Sequence, residues 1–148
     1  MSNLNLVYAS YLERRDFMDL QKLLGQTRKA LDDYKMIDDG DKIAVGVSGG
    51  KDSLTLLYAL SHLRRFYPKK FDIEAITVSM GLKDMDFSQV KKLCKELGVN
   101  YTIVETKIAD IIFSYRKEKN PCSLCAKLRK GAFNLKAKEL RCNKEAYA

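Results

Sequence analysis

A six-residue run, Ser48–Ser53, has the composition of a polyphosphate-binding loop. It lies between an apolar run at 42–47, which predicts a buried strand, and leucines at helical spacing over 54–66. Where a strand turns into a helix, unpaired backbone N–H groups and the positive end of the helix dipole attract anions. Glycines let the backbone approach a ligand, lysine adds charge and serines add hydroxyl donors, so the run suits a di- or triphosphate. Its members are Ser48, Gly49, Gly50, Lys51, Asp52 and Ser53.

Two commoner phosphate-binding loops are excluded by spacing. The nucleoside-triphosphatase loop needs the pattern GxxxxGK followed by a hydroxyl residue. Here Val45 stands at the first glycine position and Asp52 at the hydroxyl position. The dinucleotide pattern GxGxxG fails because Ser48 stands two residues after Gly46. The remaining alternative to a phosphate site is a glycine-rich turn without a ligand.

A second chemical motif is a pair of cysteines, Cys122 and Cys125, directly after Pro121. The pair lies at the start of a predicted helix, where the thiolate form is favoured and can ligate a metal or act as a nucleophile. Two thiolates are half of a structural zinc site, and an iron–sulfur cluster usually takes four. The other candidates are expected elsewhere, in the core or on the first crossover helix: Cys94, Cys142 and the single histidine, His62.

Alternating strand and helix patterns surround these motifs. Strands are predicted at 42–47, 71–79 and 101–105, with the start of a fourth at 145–148. Helices are predicted at 16–36, 54–66, 87–98, 108–115 and 123–140. Such alternation predicts an α/β fold, an open parallel sheet with helices on both faces, here preceded by an N-terminal helix. We divide the chain into an N-terminal helical segment at 1–40 and a nucleotide-binding domain at 41–148.

Ligands of such sheets bind beyond the carboxyl ends of the strands. The Ser48–Ser53 run follows the first strand, and Val78, Ser79 and Met80 end the second strand beside it. We therefore predict that backbone groups at Val78 and Met80 contact the base of a nucleotide whose phosphates lie at the run.

Composition and charge limit the functional classes. The chain has 148 residues, 46% of them hydrophobic, which fits one globular domain with a real core. No apolar run approaches a membrane span and no signal peptide is visible, so we expect a cytoplasmic protein without membrane contact. The net charge of +8 attracts polyanions such as nucleic acids, with a solvated lysine-rich surface as the alternative. The candidate basic patch consists of Lys117, Lys119, Lys127, Arg129, Lys130, Lys136, Lys138, Arg141 and Lys144.

The two motifs together resemble a known family. SGGKDS at 48–53 resembles the PP-loop of ATP pyrophosphatases, which split ATP between the α- and β-phosphates. With NPCSLCAKLRKG at 120–131, it resembles the tRNA 2-thiocytidine synthetases, the TtcA family. The resemblance covers most of the chain from about residue 16, and the long helix before the first strand is similar as well. It implies that residues 41–148 form a PP-loop ATP-binding domain and that the base expected near Val78 and Met80 is the adenine of ATP.

The resemblance implies a two-step reaction in the tRNA anticodon loop. Such enzymes use ATP and Mg²⁺ to adenylate the C2 oxygen of a pyrimidine, and pyrophosphate leaves. Sulfur from a donor protein or a sulfide source then attacks C2, and AMP departs. By motif match, residues 48–53 would hold the pyrophosphate part of ATP, Lys51 would stabilise developing charge, and Asp52 would hold Mg²⁺. Cys122 and Cys125 would ligate a [4Fe-4S] cluster that carries the sulfur or, in a cluster-free relative, handle a persulfide.

The chain departs from the pattern of the family it resembles. Family members continue past the fourth strand with a histidine- and aspartate-rich segment and a later cysteine that completes the cluster, whereas this chain stops at Ala148. The segment 80–82 also lacks the acidic residue expected after the second strand. We therefore expect an N-terminal piece or a short version of the family. A missing edge strand would leave backbone groups unpaired, which predicts a homodimer or marginal stability.

Two other functions remain open. A relative of lysidine synthetase would share SGGKDS but would not need a CxxC motif before a basic helix. A non-catalytic module would bind ATP and transfer nothing. Release of AMP and pyrophosphate in the presence of tRNA separates an adenylating enzyme from such a module.

Overall fold

The computed structural model describes residues 17–81, 85–114 and 121–147. Strands and helices alternate along this part of the chain, as predicted. In chain order they are α1 (Phe17–Asp33), β1 (Asp41–Gly46), α2 (Lys51–Phe66), β2 (Phe71–Ser79), α3 (Ser88–Leu97), β3 (Asn100–Glu105), α4 (Ile108–Ser114), α5 (Pro121–Glu139) and β4 (Lys144–Ala146). None of the helices in the described ranges is both long enough and apolar enough to cross a membrane.

The described strands form one parallel sheet in the order β3-β2-β1-β4, which confirms the predicted fold class. β1 lies between β2 and β4, and its Val45 stands opposite Ala75 of β2 and Ala146 of β4. Parallel strands covered on both faces are apolar along their length. Residues 43–45 of β1 are accordingly at most 4% exposed.

Helices cover both faces of the sheet, because alternate residues of a strand point to opposite sides. On one face, Val45 shares a core with Leu57 of α2 and Leu93 of α3. On the other face, Ala44 shares a second core with Phe133 of α5. The small side chain of Ala44 leaves room for that ring, so α5 can lie close to the sheet.

α1 belongs to the first of these cores. Leu31 is buried there, and Leu24 packs against the same cluster. The hydroxyl of Tyr67, just after α2, donates a 2.6 Å hydrogen bond to Asp32 near the end of α1. Packing and this hydrogen bond therefore join the N-terminal helix to the sheet, while the division of the chain between residues 40 and 41 stays a prediction.

Two side chains on predicted apolar faces are exposed instead. Phe66 is 69% exposed, because α2 ends there and Tyr67 takes the buried position. The leucine spacing of α5 predicts that Leu135 faces inward, yet it is 63% exposed. Among the residues of α5 whose side chains the structure describes, Phe133 and Ala137 are buried, and they fill the space over the sheet and turn Leu135 outward.

Candidate functional site

The Ser48–Ser53 loop joins β1 to α2 at the carboxyl edge of the sheet, where the sequence predicts it. Gly49 has a φ of +88°, which glycine adopts without strain. A hydrogen bond of the first helical turn runs from the Leu54 N–H to the Gly50 carbonyl at 3.1 Å. The N–H groups of residues 51–53 therefore have no acceptor inside the helix. Together with the helix dipole, they form the anion-attracting part of the loop.

The two serines brace this loop from inside. Ser53 is 2% exposed, and its hydroxyl donates to the Gly50 carbonyl at 2.9 Å. The same oxygen accepts the Ser48 N–H at 3.2 Å, and Ser48 Oγ accepts the Gly50 N–H at 3.3 Å. Lys51 and Asp52 are exposed at the start of α2. The loop thus presents a cation and a carboxylate on a braced backbone, and their predicted contacts with ATP and Mg²⁺ stay predictions.

A cavity of about 470 Å³ opens beside the loop at the carboxyl ends of β1 and β2, a size typical of small-molecule sites. Ser48 lines it, and so do both residues expected near the adenine, Val78 and Met80. The Met80 carbonyl accepts a hydrogen bond from the Ala109 N–H at 3.0 Å. A carbonyl oxygen has two lone pairs, so one remains to accept a hydrogen bond from a ligand. The structure therefore brings the loop and the end of β2 together at one site.

The helix that carries the two cysteines forms another wall of this cavity. Ala126 of α5 lines it, and the half-buried Cys125 directly precedes Ala126. Cys122 is the second residue of α5, and its side chain lies outside the described residues. The phosphate loop and the cysteine-bearing end of α5 thus meet at one cavity, although they are far apart in the sequence.

The remaining thiols and the histidine lie away from the cavity lining. Cys94 is 1% exposed in the core, as predicted, and burial raises the pKa of its thiol to about 12. Cys142 is half-buried, and burial also raises the pKa of its thiol. His62 packs 4.1 Å from the ring of Tyr58, and burial, helped by Arg65, lowers its pKa. In the described part of the chain, no group of three or more His, Cys, Asp or Glu side chains could hold a metal ion.

Some lysines of the predicted basic patch already form ion pairs with acidic side chains of the protein. Lys144 Nζ lies 2.6 Å from Asp41 Oδ2, and Lys136 pairs with a glutamate on its own helix at 2.7 Å. Lys117 and Lys119 lie outside the described residues. The exposed members on α5 and the turn after it are Lys127, Arg129, Lys130, Lys138 and Arg141. A polyanion would therefore meet positive charge on the helix that lines the cavity.

Phe133 and Tyr147 are among the cavity residues that sequence reasoning missed. Their ring centres lie 4.8 Å apart. Phe133 stands one helical turn after Arg129, which lines the same cavity. Tyr147 directly follows β4, at the edge of a parallel sheet where ligands bind. The spacing of Phe133 from Arg129 and the place of Tyr147 after the last strand were the features of the sequence that could have indicated these two residues.

The sequence matches the PP-loop domain family over residues 19–130. The chain belongs to this family. The matched part of the PP-loop chain contains nearly all of α1, the SGGKDS loop and the segment with both cysteines. The family assignment confirms the resemblance from which the PP-loop prediction started.

Several curated relatives of this PP-loop chain carry the name of one tRNA-modifying enzyme. The chain is 42% identical over 130 residues to a tRNA-cytidine(32) 2-sulfurtransferase of Pseudomonas entomophila. This alignment covers 86% of the chain and 46% of the relative. The chain is 37% identical over 136 residues to the enzyme of the same name from Geobacter sulfurreducens, covering 91% of the chain and 53% of the relative. The chain thus spans about half the length of the curated relatives it matches.

Solved structures show the same fold. The U34-tRNA thiolase NcsA from Methanococcus maripaludis, solved with its [4Fe-4S] cluster, superposes with a TM-score of 0.72 at 28% identity. The match covers 86% of this PP-loop chain and 44% of the thiolase. An NH3-dependent NAD synthetase from Campylobacter jejuni superposes with a TM-score of 0.50 at 18% identity, which reflects the fold alone.

A negatively charged side chain in place of Met80 tests the predicted adenine contact. We expect Met80→Glu to weaken ATP binding by about 10- to 100-fold, because a carboxylate in an apolar cavity costs desolvation and repels the nucleotide. Titration calorimetry with ATP measures the change. The matched control is Met36→Glu, since Met36 is 46% exposed and does not line the cavity. Equal ATP affinity of the two variants would show that the adenine does not lie at the end of β2.

Proposed function

We propose that this chain is the ATP-binding and sulfur-handling part of an enzyme that thiolates a tRNA pyrimidine at C2. The observation that carries the proposal is that the SGGKDS loop and the cysteine-bearing end of α5 meet at one cavity. Activation by ATP acts on the C2 oxygen and delivery of sulfur acts on C2 of the same base, so their groups have to share a site. The curated relatives, named as tRNA-cytidine(32) 2-sulfurtransferases, support this assignment.

In the first step the C2 oxygen of the pyrimidine attacks the α-phosphorus of ATP. The bond from this phosphorus to the bridging oxygen breaks, and pyrophosphate leaves with the electron pair. The unpaired N–H groups at residues 51–53 would bind the β- and γ-phosphates, and Lys51 would stabilise the charge that grows on pyrophosphate. Asp52, exposed in the first turn of α2, would hold Mg²⁺, which supplies further neutralisation of the phosphates.

In the second step sulfur attacks C2, and AMP leaves with the electrons of the C2–O bond. Adenylation makes this possible, because the oxygen at C2 is a poor leaving group until it carries AMP. Cys122 and Cys125 are the side chains proposed to present the sulfur. As a persulfide on one of them, the outer sulfur would attack C2 and the other thiolate would attack the inner sulfur, which breaks the S–S bond and leaves a disulfide for a thiol reductant to reopen. Alternatively, the two cysteines would be ligands of an iron–sulfur cluster that supplies the sulfur. The related thiolase NcsA contains a [4Fe-4S] cluster. Cys125 directly precedes the cavity-lining Ala126, and an iron–sulfur cluster usually takes four thiolates, so such a cluster would need ligands beyond these two cysteines.

The proposed partners are tRNA and a sulfur donor protein or sulfide source. Exposed lysines and arginines on α5 support tRNA, because they put positive charge beside the cavity. A cytoplasmic location and a homodimer stay predictions.

Nucleotide products test the proposed reaction. We expect incubation with ATP, Mg²⁺, sulfide and unmodified tRNA to release AMP and pyrophosphate, and mass spectrometry of digested tRNA to find a 2-thiopyrimidine. Omission of tRNA is the control and should abolish AMP release. Formation of ADP would contradict adenylation, and binding of ATP without any AMP would favour the non-catalytic module.

A further inference from the structure

The cavity has a side that neither the loop nor the predicted adenine contacts occupy. β1 carries the loop, β2 with Val78 and Met80 lies on one side of β1, and β4 lies on the other. Tyr147 follows β4 and lines the cavity from that side, together with Phe133 of α5. An ATP that extends from the end of β2 to the loop would leave the side at β4 for the second substrate.

Several contacts hold the Tyr147 ring in place. It packs on Phe133 with ring centres 4.8 Å apart. Its hydroxyl donates to the Glu145 carboxylate at 3.1 Å and lies 3.1 Å from the side-chain amide of Asn134. A Cβ at Gly46 would lie 3.1 Å from Tyr147 Cδ1, so the absence of a side chain there makes room for the ring on β1. Despite these contacts, Tyr147 is 50% exposed.

Positive charge accompanies this aromatic residue. Arg129 and Lys130 line the same cavity and are exposed, one helical turn before Phe133 and Asn134. Sites for single-stranded nucleic acids combine aromatic rings, on which bases stack, with cations that follow the backbone. A ring fixed in advance also loses little conformational entropy when a base stacks on it.

We propose that Tyr147 is the platform on which the acceptor pyrimidine of the RNA stacks, with Arg129 and Lys130 close to the phosphates that flank it. The inference rests on the function proposed above and names the part of the site that takes the RNA base. Tyr147 binds the substrate in this proposal through its ring alone, because its hydroxyl donates to the Glu145 carboxylate.

A fluorescent base tests the platform. The probe is a short RNA stem–loop with pyrrolocytidine at the target position of the loop, and the protein is compared with Tyr147→Leu and Tyr147→Phe. We expect the wild-type protein to quench the fluorescent base and Tyr147→Phe to keep most of this quenching. Tyr147→Leu should lose the quenching and bind the RNA about 5- to 150-fold more weakly, which is the stacking energy per base converted to an affinity.

Two controls give the result its meaning. Tyr34→Leu removes a 75% exposed tyrosine that does not line the cavity, and it should bind the RNA like the wild type. ATP affinity and melting temperature are measured on every variant, and we expect Tyr147→Leu to keep its ATP affinity. Unchanged RNA binding by Tyr147→Leu, or a loss of ATP affinity instead, would contradict stacking of the acceptor base on Tyr147. Either result would leave the proposed function intact. Failure of the wild-type protein to bind the RNA would overturn both.

Discussion

Replacement of Lys51 by alanine should slow the release of AMP and pyrophosphate by about 10²- to 10³-fold, the usual effect of removing one preorganised donor from a site of developing charge. Lys51 begins α2 and is exposed beside the unpaired N–H groups of the loop. In the proposed reaction, negative charge grows on the departing pyrophosphate as the bond between the α- and β-phosphates breaks. The measurement is the initial rate of AMP release at saturating ATP and tRNA.

Removal of the same charge elsewhere is the control for this experiment. Lys91 is exposed on α3 and does not line the cavity, so Lys91→Ala should keep nearly the wild-type rate. Affinity for ATP, measured separately, should fall less than the rate, because a group that acts on developing charge binds the transition state better than the substrate. Equal rates for the two lysine variants would mean that the loop does not serve the reaction.

Replacement of Asp41 by alanine should lower the free energy of unfolding by about 2–4 kcal/mol, because it removes a buried carboxylate that accepts hydrogen bonds from three donors. Asp41 is 5% exposed at the start of β1. It accepts hydrogen bonds from the Asp38 N–H at 2.7 Å, from Asn143 Nδ2 at 2.7 Å and from Lys144 Nζ at 2.6 Å. Urea denaturation measures the loss.

Asp38 provides a matched control for Asp41, because its carboxylate contacts the same lysine. Its oxygen lies 3.2 Å from Lys144 Nζ, but the side chain is 73% exposed. Water screens such a pair, so Asp38→Ala should cost less than about 1 kcal/mol. Equal losses for the two variants would show that burial of Asp41 adds nothing to the interaction.

The same network predicts a loss of stability in acid. Burial raises the pKa of Asp41, but hydrogen bonds from Lys144, the Asp38 N–H and Asn143 outweigh it and lower the pKa from 3.8 to about 2. A carboxyl group with a lowered pKa contributes stability that is complete above its unfolded pKa and is lost as the pH falls through the folded one. The contribution should therefore fade between pH 3.8 and about 2, and Asp41→Asn should lack this part of the acid loss.

The local parts of the fold and the site could be predicted from sequence. The SGGKDS loop is set by neighbouring residues, since the apolar run before it and the leucines after it define the strand and the helix that create the turn. Val78 and Met80 were placed at the cavity by one general rule about the carboxyl ends of parallel strands. Family membership confirms the PP-loop interpretation.

The long-range parts could not be predicted in this way. Gly46, Phe133 and Tyr147 lie on three elements, and their contact depends on how closely α5 approaches the sheet. Lys144 counted as free positive charge in the sequence, because nothing local shows that Asp41 is buried beside it. The outward position of Leu135 has the same origin, since helical spacing gives the faces of α5 but not which face meets the sheet.

The place of β4 beside β1 has a consequence for synthesis on the ribosome. β1 is the first of the described strands to be made, and β4, its neighbour on one side, is the last. The Asn143–Asp41 hydrogen bond closes a separation of 102 residues. Such high contact order slows folding, because a long loop must close before the pairing stabilises it. A nascent chain therefore exposes one edge of β1 until almost all of the described sheet has emerged, and in that interval chaperones can bind it.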